Sequence, residues 1–204
     1  MTYCRSFALE QWLTVRRASI NRIDTAHSAL GEVDGPGRPL ELGEPLAHSY
    51  IIRVVAEFQA FTRDLHDLAA EHLVTVSDPP DGLVTILTAA ITGGRSMDSG
   101  NATLTAIRTD FARLGIGDVE GKIGSHYAHW QKDGVDRAKF NHLIEMRNAL
   151  AHENQRQVDE YRRQGRPDTV TWGRAQLPAL NRAARGLDRV VWTNLSTKTG
   201  ASPW

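Results

Sequence analysis

The stretch LAHSYIIRVVAEFQAFTRDLHDLAAEHLVTV, residues 46–76, indicates the fold most clearly. Its apolar residues recur in steps of three and four, at Ala47, Ile51, Val54, Phe58, Phe61, Leu65 and Leu68. This spacing places them on one face of an α-helix. About 30 residues at 1.5 Å each make a helix roughly 45 Å long. The apolar face fits the core of a helical bundle, and the seam of a coiled-coil dimer is the alternative.

Apolar periodicity predicts further helices over residues 6–30, 83–92, 101–114, 136–154 and 176–196. Glycine and proline mark a loop at 31–45 and an irregular segment at 115–124. Asp136 is the predicted N-cap of its helix, and residues 197–204 are expected to fray. No convincing strand sequence occurs. The pattern therefore predicts an all-α antiparallel bundle, a single domain over residues 1–204 with its core at about 6–196.

The composition narrows the function classes. With 41% hydrophobic and 24% charged residues the chain fits a globular protein, and no apolar run approaches the roughly 20 residues of a membrane span. The single Cys4 excludes an intramolecular disulfide framework and fits the cytoplasm.

The glycine and histidine patterns predict neither a cofactor nor a metal. Gly115 and Gly117 lack the third glycine of a dinucleotide site, so no cofactor is expected. His126 and His129 lack further metal ligands at an obvious spacing, so no metal is expected.

A six-residue stretch near the end of the 136–154 helix, Arg147-Asn148-Ala149-Leu150-Ala151-His152, carries the candidate chemistry. Arg can neutralise a phosphate, Asn can orient it, and His can transfer protons near pH 7. The spacing Arg-x4-His alone is weak evidence for a catalytic motif, because roughly one such match is expected by chance in this chain. Of three matches, only this one has Asn after Arg and small or aliphatic residues in the gap. On a helix, Asn148 and His152 share a polar stripe with Asn141 and Glu145. A merely solvated polar face is the alternative.

Two segments carry a resemblance to a known family. Residues 143–152, LIEMRNALAH, resemble the signature of the HEPN superfamily, an Arg-Asn with His a few residues later at the end of a helix. Residues 51–65, IIRVVAEFQAFTRDL, resemble the long early helix of defence-type HEPN proteins. One branch carries Tyr just after the His, but Glu153 and Asn154 follow here, which argues against that branch.

The resemblance implies an all-α bundle, usually dimeric, in which two such motifs meet across the interface. Many members are metal-independent endoribonucleases, toxins or anti-phage effectors, and others bind without cutting. In this chain Arg147, Asn148 and His152 are the expected catalytic residues, and Glu145 and Glu57 are candidate supporting residues. RNA, a second copy of the chain, and an antitoxin or regulatory protein are the expected partners. A non-catalytic module that binds RNA, nucleotide or protein is the alternative function, and a structural dimerisation domain is a third.

The charge distribution adds a candidate RNA-binding surface. Net charge is zero, but residues 156–189 hold 8 Arg and 4 Asp or Glu, directly after the motif. Arg182, Arg185 and Arg189 share one face of the last predicted helix, where they could contact RNA phosphates. A solvated face and a docking surface for an acidic antitoxin are the alternatives.

Overall fold

The computed structural model describes residues 2–31, 40–131 and 133–204. Over these ranges the chain contains helices and no strand, so the predicted all-α class is confirmed. None of the described helices is long and apolar enough to cross a membrane. The α-helices are α1 Phe7–Gln11, α2 Arg17–Gly31, α3 Leu40–Val76, α4 Asp81–Thr92, α5 Ser96–Ser99, α6 Leu104–Ala112, α7 Val119–His126, α8 Val135–Ala151, α9 Gln155–Arg163 and α10 Val170–Thr199. A π-helical turn, Trp12–Arg16, joins α1 to α2, and a 3-10 turn, Ala128–Trp130, precedes α8.

Helix α3 supplies the centre of the core. Its predicted apolar face is buried at Ile51, Val54, Phe58, Phe61 and Leu65. The Phe58 ring meets Trp12 from the π turn at 5.5 Å between centroids and Phe140 from α8 at 5.3 Å. Because other parts of the same chain cover this face, it is bundle core rather than a seam between two chains.

The two longest helices, α3 and α10, run in the same direction. Gly173 near the start of α10 lies against the Tyr50 ring, where a Cβ would come within 3.0 Å. At the other end of both helices, His72 Nε2 lies 3.2 Å from Thr199 Oγ1. The missing side chain at Gly173 lets the two helices approach closely.

Helix α8 runs opposite to α10. Asp136 at its start pairs with Arg182, whereas Glu145 farther along pairs with Arg166, which precedes α10. The predicted antiparallel arrangement therefore holds for α8 but not for the two longest helices. Apolar periodicity predicts which face of each helix is buried, but it gives no information on the direction of one helix relative to another.

Helix α3 starts earlier than predicted, at Leu40 instead of residue 46. Its first turns include Gly43 and Pro45, which belong to the predicted 31–45 loop. A tertiary contact supports them, because Glu44 Oε1 accepts a hydrogen bond from Arg162 Nη2 at 2.9 Å. The remainder of the predicted 31–45 loop, residues 32–39, lies outside the described ranges.

The segment around residue 120 was predicted irregular and is helical as α7. Asp118 caps it, since its Oδ1 accepts a hydrogen bond from the Gly121 amide at 3.1 Å. Val119 and Ile123 bury one face in the core. The cap and these two contacts outweigh the low helix propensity of glycine.

Helix α8 begins at Val135 with Gly134 as its N-cap, so the assignment of Asp136 as the cap was wrong. The Asp136 carboxylate is buried and accepts two hydrogen bonds from Arg182 instead. The helix ends at Ala151 rather than near 154. Glu153 has φ +50°, which cannot continue a right-handed helix, and Asn154 caps the unpredicted helix α9.

Helix α10 is longer than predicted at both ends, and the last residues are not frayed. After Gly200, at φ +70°, the chain turns back towards the start of α1. The Trp204 indole Nε1 donates a hydrogen bond to the Cys4 carbonyl at 3.1 Å, and its ring packs against the core. A packed aromatic residue therefore fixes the end of the chain, and the expectation that residues 197–204 fray was wrong.

Candidate functional site

Helix α8 positions the motif by burying the side opposite to it. Phe140, Leu143 and Met146 are buried, and Leu150 packs against the same core. The polar side therefore faces outward at the end of the helix, as the sequence predicted.

Asn148 forms the centre of a small hydrogen-bonded group. Its Oδ1 accepts from Arg147 Nη1 at 3.4 Å and from Nδ2 of Asn101, a residue of the loop between α5 and α6. Arg147 Nε is buried and has no hydrogen-bond partner among the described residues. The structure thus brings Arg147 and Asn148 together and adds Asn101, which spacing in the sequence could not reveal because it lies 47 residues away.

His152 is the C-cap of α8. Its backbone amide donates to the Asn148 carbonyl at 3.1 Å, while its side chain is exposed. In the described part of the chain, its imidazole has no hydrogen bond, including none with Arg147. A free imidazole at a helix end can accept or donate a proton to a bound molecule.

The two supporting carboxylates predicted from the sequence are engaged elsewhere. Glu57 is buried and pairs with Arg16 at 2.8 Å and with Arg53 at 2.5 Å. Glu145 is exposed and pairs with Arg166 at 2.7 Å. Neither is hydrogen-bonded to Arg147, Asn148 or His152 in the described structure.

The three arginines of the predicted RNA-binding face differ in their surroundings. Arg182 donates to both oxygens of buried Asp136, at 2.5 and 2.7 Å, and these hydrogen bonds raise the pKa of the guanidinium. Arg189 lies over the Tyr3 ring, 5.5 Å from its centroid, and is exposed. Arg185 is half-buried. Arg182 therefore serves the fold, and Arg185 and Arg189 are the better candidates for a ligand.

A second polar cluster lies away from the motif, beside a cleft of ≈ 470 Å³. Glu44, His48 and Asp168 place ligand atoms within 4.8 Å of one another. Arg162 donates to Asp168 at 2.6 and 2.8 Å and to Glu44 at 2.9 Å. Burial opposes ionisation of Asp168, but hydrogen bonds from Arg162 and His48 outweigh it and lower the carboxyl pKa. The guanidinium thus supplies the positive charge that a metal ion would bring.

The motif group has the components for charge stabilisation and proton transfer on a phosphodiester. It offers a guanidinium that pairs with no carboxylate, a carboxamide held by Asn101, and an exposed imidazole one helical turn from Asn148. No protein-family model, curated protein or solved structure matches this chain in the comparisons with known proteins. The functional argument therefore depends on the chemistry of these side chains.

Proposed function

We propose that the chain is a metal-independent endoribonuclease of the HEPN type that acts as a homodimer. The observation that carries the proposal is the state of the two key side chains at the end of α8. Among the described residues, the Arg147 guanidinium pairs with no carboxylate and bonds only to Asn148 Oδ1, and the His152 imidazole has no hydrogen-bond partner. Several other arginines of this chain pair with carboxylates, as Arg163 does with Glu160. A guanidinium without a carboxylate partner and a free imidazole near the same helix end suit an anionic substrate.

The proposed reaction is attack of a ribose 2′-hydroxyl on the adjacent phosphorus atom. The imidazole of one His152 takes the hydroxyl proton while the new P–O bond forms. The bond to the 5′-oxygen breaks, and that oxygen receives a proton from an imidazolium. Arg147 stabilises the charge that develops on the phosphorane oxygens, and Asn148 orients the phosphate. The products are a 2′,3′-cyclic phosphate and a 5′-hydroxyl.

A homodimer supplies the second proton-transfer group that a single chain lacks in this reaction. The reaction needs a base and an acid on opposite sides of the phosphorus, and each chain contributes one His152. Two motifs that face each other would provide both groups. The small, exposed side chain of Ala151 beside His152 leaves room for such an approach, whereas Ala149 is buried in the core.

The biological role that we propose is a toxin or anti-phage effector. It follows from the resemblance of residues 51–65 and 143–152 to defence-type HEPN proteins. An antitoxin or other regulatory protein would then hold the enzyme inactive. Arg185 and Arg189 offer positive charge for an RNA backbone or for an acidic regulator.

The proposal is tested by incubating the purified protein with single-stranded RNA in EDTA and analysing the ends of the products. We expect cleavage that yields 2′,3′-cyclic phosphate and 5′-hydroxyl ends. Substitution of a 2′-deoxynucleotide at the cleaved position should abolish it, because the attacking hydroxyl is then missing. Absence of cleavage, or cleavage only with added divalent metal, would overturn the proposal.

A non-catalytic binding module is the second candidate. It is favoured by the orientation of Arg147, whose guanidinium contacts Asn148 and not His152 in the described chain. Such a module would bind RNA, a nucleotide or a protein through the same group. Saturable RNA binding that is weakened by Arg147→Ala, with no cleavage by any variant, would select this function.

A further inference from the structure

The loop before α6 carries a residue that reaches the motif from outside α8. Asn101 Nδ2 donates to Asn148 Oδ1, and Arg147 Nη1 donates to the same oxygen at 3.4 Å. A carboxamide oxygen has two lone pairs, so these two donors occupy both. The NH₂ group of Asn148 is then the part that remains for a ligand.

The backbone next to Asn101 is fixed from two sides. The Asp110 carboxylate accepts from the amides of Ser96 at 2.9 Å and Met97 at 2.8 Å. From α3, Gln59 Nε2 donates to the Met97 carbonyl at 2.6 Å and also to the Gly100 carbonyl. This loop can therefore hold the Asn101 side chain in one place against Asn148.

The contact has a cost in stability. Asn101 Oδ1 and Arg147 Nε are both buried and lack hydrogen-bond partners among the described residues. Each such atom has lost its hydrogen bonds to water without a replacement, which destabilises the fold. An apolar residue at position 101 would leave no unsatisfied oxygen there. Polar groups that are kept at such a cost are often tied to function.

We propose that Asn101 is a positioning residue for RNA cleavage, which fixes the carboxamide of Asn148 so that its NH₂ group donates to a non-bridging oxygen of the phosphate. This inference rests on the proposed function. Asn101 itself touches no reacting atom. It acts through Asn148, whose oxygen in turn holds the Arg147 guanidinium.

The test compares single-turnover cleavage by Asn101→Ala and Asn101→Asp with the wild type. Loss of one orienting hydrogen bond should lower the cleavage rate of Asn101→Ala by about 2- to 10-fold, with KM unchanged. Asp has nearly the same shape as Asn but cannot donate to Asn148 Oδ1. The Asn148 carboxamide should then turn its NH₂ group towards Asp, so this variant should lose at least as much activity. Ser99→Ala, an exposed change at the end of α5 just before this loop, should cleave like the wild type.

A double-mutant cycle separates positioning from a general effect on the fold. In an Asn148→Ala background, Asn101→Ala should lower the rate by less than about 2-fold, because its target is gone. A wild-type rate in Asn101→Asp would overturn the inference, as would an equal loss in both backgrounds. If circular dichroism shows that Asn101→Ala is not folded, the cleavage rate of Asn101→Asp tests the inference instead. No cleavage by the wild type would overturn the proposed function and this inference with it, whereas failure of the inference alone appears only in the variants.

Discussion

At the scale of single residues, the role of Arg147 depends on the geometry of its donors. Nη1 is used on Asn148 and Nε is buried, so the Nη1 and Nη2 groups are the donors left for a ligand. A guanidinium presents several donors in a plane and can contact two phosphate oxygens while it keeps the bond to Asn148. A lysine ammonium keeps the charge but not this geometry.

We therefore expect Arg147→Lys to lose most activity although charge is preserved. Removal of one preorganised charge-stabilising donor costs about 10²–10³ in kcat. The measurement is single-turnover RNA cleavage, with Arg156→Lys, an exposed arginine after α8, as the matched control. A near-normal rate in Arg147→Lys would contradict a directional role for the guanidinium.

Among the described histidines, His66 is completely buried, and its ring has two neighbours that fix a neutral form. Nε2 lies 3.0 Å from the Asp110 carbonyl, which only accepts, so Nε2 carries the proton. Nδ1 lies 3.3 Å from Arg95 Nη1, which only donates, so Nδ1 is unprotonated. Burial is the main cause that lowers the pKa of His66, and the nearby Arg95 charge adds to it.

This lowered pKa makes stability depend on pH. Below about pH 6.5 the unfolded chain binds a proton at His66 that the folded chain rejects, so stability falls as pH falls. We expect the free energy of unfolding to decrease from pH 7 to pH 5, and His66→Gln to reduce that slope. One proton accounts for at most about 1.4 kcal/mol per pH unit. Urea unfolding at several pH values measures it. An identical slope in His66→Gln, or a comparable change in the exposed control His129→Gln, would contradict this account.

At the scale of elements, α10 carries both an arginine that serves the fold, Arg182, and the two that we propose for RNA, Arg185 and Arg189. Asp136 has only 2% of its side chain exposed and depends on the two hydrogen bonds from Arg182. Removal of the guanidinium would leave a buried carboxylate without its partner.

Arg182→Gln should therefore destabilise the protein, by about 1–3 kcal/mol in the free energy of unfolding. Arg189→Gln on the same helix removes an exposed charge and should change it by less than about 0.5 kcal/mol. Chemical denaturation of the two variants measures the difference. Equal stability of both variants would show that the Asp136 pair contributes little.

A double variant on the same helix tests RNA binding separately from stability. If Arg185 and Arg189 contact phosphates, replacing both with Gln should reduce the salt slope of single-stranded RNA binding by about 1.4, from about 0.7 for each contact. Fluorescence anisotropy at several salt concentrations gives this slope. An unchanged salt slope would show that these arginines do not contact RNA. Their remaining roles would then be solvation of the helix or binding of a protein partner.

The sequence predicted the helices better than their ends. Periodicity found the buried faces of α3 and α8, because burial selects side chains at helical spacing. It missed α7, where a cap and two apolar contacts outweigh glycine, and it extended α8 past Ala151 because the turn at Glu153 has no marker residue. Asn101 could not be predicted, since its contact with Asn148 depends on how α3 and α6 hold the loop between them.

At the scale of the whole molecule, α4 is an apolar helix that is largely exposed. No residue of α4 is buried, and Leu83, Val84, Ile86 and Leu87 are exposed. Arg95, just after α4, pairs with Asp67, so α4 lies beside the part of α3 beyond that residue. The motif instead adjoins the loop held by Gln59, about 12 Å nearer the start of α3.

Because of this separation, we expect Ile86→Glu to leave RNA cleavage within about 2-fold of the wild type. The free energy of unfolding should change by less than about 0.5 kcal/mol, since Ile86 is 61% exposed. Cleavage assays and denaturation on the same preparation measure both quantities. A large loss of cleavage with intact stability would show that α4 makes a contact that the active assembly needs.

The central claim is that His152 transfers protons during RNA cleavage. Its most direct test is the single-turnover cleavage rate, in EDTA and at saturating RNA, of His152→Ala beside His142→Ala. His142 lies on the same helix in the sequence match Arg137-x4-His142 and is half-buried. The account predicts a loss of about 10²-fold or more for His152→Ala and a near wild-type rate for His142→Ala. Equal rates for the wild type and His152→Ala, with both proteins folded, would contradict it.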